Sequence, residues 1–305
     1  VKKILILMAT YNGAAWLPEQ LDSVLRQAGV DPCIVVSDDG STDGTADVLR
    51  AYLSTGALRI VDFNAVSGGA GQNFLRLLRT VSVADFDYVA FCDQDDVWLE
   101  DKLSRAVRML GDGNASGYSS SVTAFWPSGS TRLLCQQSKV TDIDYLFEGA
   151  GQGCTFVLTA KLARRVQTFL IENPALTSKI HYHDWLIYAL ARAFNQTWAF
   201  DPDPSMQYRQ HQHNDTGARG APAAALRRLS LIRSGWYRTQ VQLLLRVIDS
   251  TVSDREVLPA DFSSIWHKKS GLCRRVQLAR ILFRRGRRRA GDRAVLAVSA
   301  IMGWI

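Results

Sequence analysis

Four apolar runs, residues 3–9, 31–37, 58–63 and 88–92, alternate with segments of helical spacing in the first 110 residues, and this alternation most constrains the fold. The first and fourth are continuous rather than alternating with polar residues, as strands buried on both faces require. Between them Leu17, Leu21, Val24 and Leu25, then Val48, Leu49 and Leu53, then Phe74, Leu75, Leu77 and Leu78 recur at helical intervals. Such a pattern predicts an α/β fold, a doubly wound and mostly parallel central sheet. Ligands of these sheets sit beyond the carboxyl ends of the strands. Three strand ends are polar, at 10–12, 38–41 and 93–96, so all three are expected on one crevice.

The fourth run ends in Asp93, Asp95 and Asp96. Carboxylates this crowded repel one another unless something positive sits among them. A divalent cation with oxygen ligands would serve, with a nucleoside diphosphate completing its shell. The alternative is an acidic helix start, Asp96 capping a helix from Val97, although one Asp suffices for a cap. At the second strand end Asp38 or Asp39 can accept from the N3–H of a uracil or thymine ring, a donor that cytosine lacks. A plain turn before a helix is the competing reading there. The glycines of 68–71 let backbone approach a ligand closely, with the Asn73 amide beside them, and a surface loop is the alternative.

Beyond residue 112 the alternation stops. Residues 116–126 and 131–135 read as a strand pair turning at Pro127-Ser128-Gly129. A short helix is expected over 141–147, a strand over 154–159, helices over 161–171 and 182–193, and short strands over 198–200 and 206–209. A long amphipathic helix is expected over 221–248.

Seven pieces in order, MATYNG (8–13), VVSDDGSTDGT (35–45), GGAGQN (68–73), FCDQDDVW (91–98), GCTFV (153–157), HDWL (183–186) and YRQH (208–211), resemble family 2 glycosyltransferases of the GT-A fold, in the rhamnosyltransferase-like branch. The resemblance spans roughly residues 3–213, and DDGSTDGT together with DQDD is its specific part. It implies a GT-A domain over 1–220, with a Rossmann-like nucleotide-sugar half (1–112) and an acceptor half (113–220); residues 221–305, which the resemblance does not reach, read from their own pattern as a helical region. Thr10, Tyr11 and Asn12 would line the base and ribose with Asp38 and Asp39. Gly69, Asn73, Gln94 and Asp96 would complete the donor site, Asp96 orienting the sugar. Asp93 and Asp95 fall at the DXD position and would hold Mg2+ or Mn2+ against the donor diphosphate. His211 would complete the metal shell, Arg209 would neutralise phosphate, and the loop at His213-Asn214-Asp215 would close over the donor. An inverting transfer needs a base for the acceptor hydroxyl. Asp184 occupies that position, where the family more often carries Glu-Asp and this chain carries His183-Asp184. His183 would be the second-choice base.

The implied activity is transfer of a single sugar, rhamnose among the candidates, from a UDP- or dTDP-sugar to a saccharide or lipid-linked acceptor in bacterial surface polysaccharide synthesis. A QxxRW signature and membrane helices, which mark the processive synthases, are absent from the sequence. A sugar nucleotidyltransferase would want a cationic loop after the first strand, and residues 8–13 carry no cation. A non-catalytic scaffold has no need for Asp93, Asp95 and Asp184 together.

The formal charge of +7 is uneven: residues 267–293 hold 11 Lys and Arg and one Asp, leaving the remainder at net −3. The basic run 284–289 lies between apolar segments and the chain ends in Trp304-Ile305. That composition suits an anchor on an anionic lipid surface, each basic group contributing about 1 kcal/mol. A solvated helix or a contact in a homo-oligomer is the alternative. Nucleic acid is excluded as a partner, because no stacking aromatics interleave with the arginines. Five scattered cysteines without a CxxC pair suit a reducing compartment. Residues 1–3 lead straight into a strand rather than a leader, and no apolar run reaches 18 residues. The expected location is cytoplasmic, peripheral on the inner face of the cell membrane.

Overall fold

The computed structural model describes residues 1–136, 139–211, 229–251, 258–269 and 271–305. Strands β1 (Lys2–Thr10), β2 (Val30–Asp38), β3 (Leu58–Ile60) and β4 (Tyr88–Cys92) lie parallel in the order β3-β2-β1-β4. β1 sits in the middle, and Ile4 to Met8 are wholly buried. At roughly 1.5–3 kcal/mol per buried aliphatic side chain, this one strand anchors both cores. Its even residues Ile4, Ile6 and Met8 pack with helices α1 (Leu17–Leu25), α2 (Thr45–Ser54) and α4 (Lys102–Asp112). Its odd residues Leu5 and Leu7 face α3 (Ala70–Thr80), α5 (Ala160–Glu172) and α7 (His183–Ala193).

Past β4 the sheet becomes mixed. It continues β8 (Val157–Thr159), β6 (Gly117–Phe125), β9 (Trp198–Arg209) and β5 (Val97–Trp98), with β7 (Thr131–Leu134) paired to β6. β8 is antiparallel to β4 and β6, β9 is parallel to β6, and β5 is antiparallel to β9.

Several boundaries differ from expectation. Val97-Trp98 is a strand, so Asp96 caps no helix, and the next helix starts at Lys102. Residues 198–209 form one strand rather than two, its register shifting where Asp201-Pro202-Asp203-Pro204 passes Ser120-Ser121. Prolines that cannot donate to the ladder are tolerated at such an irregularity. The segment 141–147 supplies only a 3-10 turn at Asp144–Leu146, and 154–159 begins as another at Gly153–Thr155. The expected long helix is interrupted at Gly235, whose φ is +82°, and α8 runs Trp236–Thr251. Its start at 221–228 and the loop His213-Asn214-Asp215 lie outside the described residues.

The C-terminal helices α9 (Ala260–Trp266), α10 (Leu272–Arg285) and α11 (Ala290–Ile301) follow, after the short α6 (Pro174–Thr177) and α8 earlier in the chain. Val241, Phe262, Leu278, Leu282 and Leu296 share a core with Phe147 and α7. The basic run turns largely inward. Arg285 meets Asp142 at 2.7 Å and Asp261 at 2.5 Å, and Arg288 is buried against Asp144. Counter-charges on residues 142–148 draw the α10–α11 turn onto the domain. What remains outward is an apolar face of Leu272, Val276, Phe283, Val298 and Met302, with the exposed Arg280 and Arg284 beside it. Among the described residues no helix is long and apolar enough to cross a membrane.

Candidate active site

A cleft of about 1960 Å³ opens at the carboxyl ends of the parallel strands and runs across to residues 147–153, the start of α7 and the α10–α11 turn. Small-ligand sites commonly occupy about 300–1,000 Å³, so two ligands fit side by side.

At the β1–β2 end, the two neighbouring aspartates do different work. Asp38 accepts from Thr10 Oγ1 (2.7 Å), Ser41 N (2.8 Å) and Ser41 Oγ (2.6 Å), tying the two strand ends together outside the cleft wall. Asp39 lines the cleft and accepts from Ser67 N (2.5 Å), Ser67 Oγ (2.8 Å) and Arg76 Nη2 (3.1 Å). A carboxylate offers about four acceptor positions, which leaves Oδ2 able to take one more donor. Arg76 also holds Ser37 Oγ and Asn73 Oδ1 and lies 4.0 Å over the Phe63 ring. Nothing in the sequence pattern singled it out. Tyr11, 58% exposed on the cleft, offers a ring face, while its backbone is clamped by Gln94 through bonds of 2.8 and 2.9 Å. Asn12 accepts from Thr42 N (2.8 Å).

Gly69, with φ +140°, and Asn73 both line the cleft, and the Asn73 amide donates to Ser37 O. Gly71 has another purpose than ligand approach. A Cβ there would lie 2.1 Å from His181 O, so the start of α3 can abut the start of α7 only with glycine.

Asp93 and Asp95 reach the cleft, and Asp95 Oδ2 lies 2.7 Å from His211 Nε2, whose ring stacks on Trp16 at 4.1 Å. Asp96 is buried behind them. Burial, then Asp95 and Asp93, push its carboxyl well above the usual range, and it accepts from Arg209 N (3.0 Å). Arg209 does not reach the cleft wall: its Nε donates to Asp95 O (2.8 Å) and it pairs with Glu19. Asp38, Asp96 and Arg209 thus stand behind the cleft wall and brace it. The aspartates' repulsion is answered partly by the protein itself. Lys102 is fully buried beneath them, donating to Cys154 O (2.7 Å), and burial lowers its pKa to about 8 while Cys154, Cys92, Asp96 and Asp93 pull it back up.

Asp93, Asp96 and Cys154 place ligand atoms within 4.8 Å of one another, but this trio suits no hard cation. Burial holds the Cys154 thiol protonated, and Mg2+ or Mn2+ prefers ionised oxygen. The cleft-facing Asp93, Asp95 and His211 offer the oxygen and imidazole donors such an ion takes, although it is the other trio whose ligand atoms are gathered within 4.8 Å.

At the far wall Asp184 lines the cleft and accepts from Trp185 N (2.8 Å). His183 is buried between Phe74 (4.3 Å) and Phe91 (5.5 Å), and burial lowers its pKa to about 3. An imidazole so depressed is a feeble base. It also sets a pH dependence. The native pKa lies below the unfolded value of 6.5, so His183 stabilises the fold fully above pH 6.5 and progressively less as pH falls towards 3. Between pH 7 and 5 that loss is expected to be roughly 2 kcal/mol. Denaturant midpoints at the two pH values check it, and His183→Gln is expected to flatten the difference by about that amount.

The parallel strand ends, the paired aspartates and the carboxylate opposite them define an α/β enzyme handling a nucleotide-linked group. The sequence matches the model of glycosyl transferase family 2 over residues 5–166, and the chain belongs to that family. It is 40% identical over 252 residues to the dTDP-rhamnosyl transferase RfbG of Shigella flexneri, covering 81% of this chain and 87% of that one. It is 26% identical over 183 residues to the Escherichia coli WfgD, a UDP-Glc:alpha-D-GlcNAc-diphosphoundecaprenol beta-1,3-glucosyltransferase, covering 60% and 67%. Among solved structures, S. aureus TarS 1-349 with UDP-GlcNAc superposes at TM-score 0.54 and 18% identity, covering 97% and 81%. The Pyrobaculum calidifontis mannosyltransferase PcManGT with GDP-Man and Mn2+ superposes at 0.54 and 17%, covering 98% and 86%. The fold is that of GT-A glycosyltransferases, and the chain is a glycosyltransferase.

Proposed function

We propose that this chain transfers one rhamnosyl group, with inversion, from dTDP-rhamnose to a hydroxyl of a lipid-linked saccharide in bacterial surface polysaccharide synthesis. The observation that carries the reading is the meeting in one cleft of Asp39 and Tyr11, of Asp93, Asp95 and His211, and of Asp184 on the opposite wall. The 40% identity to a dTDP-rhamnosyl transferase favours dTDP over UDP, whose base carries the same N3–H. Tyr11 and Asp39 hold the base, Thr10 and Asn12 shape the ribose end, and Gly69 and Asn73 flank the donor. Asp184 removes the proton of the acceptor hydroxyl as its oxygen attacks the anomeric carbon and the bond to the diphosphate breaks. A Mg2+ or Mn2+ ion held by Asp93, Asp95 and His211 would supply Lewis-acid stabilisation of the departing diphosphate.

Titration calorimetry with dTDP and UDP, each with and without Mn2+, tests the donor half. Metal-dependent binding is expected, tighter for dTDP, and weakened at least tenfold in Asp95→Ala. No nucleotide binding under any of these conditions would sink the reading.

The outward face of α10 and α11 is taken to rest on the inner face of the cell membrane. Its apolar residues with Arg280 and Arg284 complement an anionic lipid surface. Cosedimentation with phosphatidylglycerol vesicles, but not with phosphatidylcholine vesicles, is expected. Dimers that ignore vesicles would place a second copy of the chain there instead.

A further inference from the structure

The cleft's arginines are gathered away from Asp39, Asp93 and Asp95: Arg132, Arg287, Arg288 and Arg289 line its other end, together with Glu148, Asp184 and Asp292. Arg288 is what a purely structural arginine looks like here. It is 7% exposed and neutralised by Asp144 at 2.8 Å, with Glu148 3.7 Å from its Nε. Arg289 is different: its Nη2 donates to Cys135 O (2.6 Å), and among the described residues no carboxylate lies within ion-pair distance of it. A carbonyl orients a guanidinium without cancelling its charge, and most of its five donors remain for other partners. Arg287 is oriented by Phe147 O (2.9 Å) and Tyr237 Oη (3.1 Å) and is partly offset by Asp292 at 3.9 Å and by Glu148.

Through Arg288 the α10–α11 turn reaches the floor beside the candidate base. Arg288 Nη2 bonds Gly149 O at 2.6 Å, and a Cβ on Gly149 would lie 3.6 Å from Asp184 Oδ2. On their other side the cleft wall turns apolar, through Leu229, Ile232, Val295 and Leu296. Val295 is 49% exposed and leads to Val298, at 56% exposure, on the outward face of α11.

We propose that this end of the cleft is a subsite for an anionic amphiphile: Arg132, Arg287 and Arg289 hold a phosphate or diphosphate of the acceptor, and its apolar tail leaves along Ile232 and Val295 towards the outer face of α11. Charge-assisted, forked bonds to phosphate are what guanidinium groups form best. The assignment rests on the reading that Asp184 receives the acceptor hydroxyl, and it places the anion in the same cleft, at the α10–α11 turn whose Arg288 bonds Gly149 O. The membrane-facing side of the hairpin and the acceptor pocket then form one continuous path.

The test uses the full chain loaded with dTDP and Mn2+, so that the acidic end is filled. Farnesyl diphosphate, farnesol and inorganic pyrophosphate are titrated separately by calorimetry. Farnesyl diphosphate is expected to bind at least tenfold more tightly than either fragment. Arg289→Gln combined with Arg132→Gln is expected to weaken it at least tenfold, leaving dTDP affinity and the melting temperature unchanged. Should the double variant melt early, Arg132→Glu alone, on an exposed strand, carries the same expectation. Equal affinity for farnesol and farnesyl diphosphate, or insensitivity to these substitutions, would overturn the subsite. Pyrophosphate binding as tightly as farnesyl diphosphate would overturn the apolar half. Loss of dTDP binding with farnesyl diphosphate binding intact would count against the donor reading and leave this site standing.

Discussion

Asp184→Asn is expected to lower kcat by about 10²–10⁴-fold, the range that a positioned general base contributes. The amide keeps the shape of the carboxylate and can still accept from Trp185 N, so the start of α7 should hold its geometry. What disappears is the ability to take up the acceptor proton. The dTDP affinity should therefore stay within a factor of two, since Asp39 and Tyr11 lie on the opposite wall. Steady-state turnover of dTDP-rhamnose, alongside dTDP calorimetry on the same preparation, separates the two. His183→Gln provides the contrast. It removes a ring that burial already holds neutral with a pKa of about 3, so its effect should fall on acid stability and not on the proton transfer. Turnover by Asp184→Asn within threefold of the parent would move the base elsewhere.

The parallel half of the fold was legible because β1, β4 and the second half of β2 are buried on both faces and are written as apolar runs, whereas the edge strand β3 carries the exposed Arg59. β4 was read to its exact ends, Tyr88–Cys92. The acceptor half was harder because its signals are set by tertiary pairing. Val97-Trp98 is only two residues long and becomes a strand by pairing with Gln207 and Met206, which no local pattern announces. Asp201-Pro202-Asp203-Pro204 reads locally as a break, yet β9 passes through it by shifting register against β6. Site residues divide in the same way. Cleft-facing Asp39, Asp93, Asp95 and Asp184 stand at strand or helix ends, where a motif marks them. Braces such as Arg76 and Lys102 come from helix interiors, where an arginine or lysine ordinarily means a solvated face. Lys102 is instead fully buried under the aspartates, which corrects the inference that their repulsion alone demands a metal.

The basic tail shows the same limit most clearly, and it carries the largest stability effect. A run of arginines at 284–289 reads as one patch, but which of them face inward depends on acids some 140 residues earlier. Arg288 bridges Asp144, which is wholly buried, to the backbone of Gly149, and its own N–H donates to Glu148 Oε1 at 2.5 Å. Asp144 keeps a second cation in Arg192 (2.8 Å) and Glu148 keeps the attraction of Arg287, but both buried carboxylates lose the guanidinium they share when Arg288 is removed. Breaking a buried pair by deleting one partner typically costs about 3–5 kcal/mol, because the remaining charge stays desolvated. Arg288→Met is expected to destabilise by that amount in urea unfolding at pH 7. Pairing it with Glu148→Gln should recover part of the loss, since the stranded charge goes too. Loosening residues 147–149 also loosens the floor beside Asp184, so the acceptor KM should rise while dTDP affinity holds. A loss below 1 kcal/mol, or additive single and double variants, would mean that the apolar core of α8, α10 and α11 alone fixes the tail to the domain.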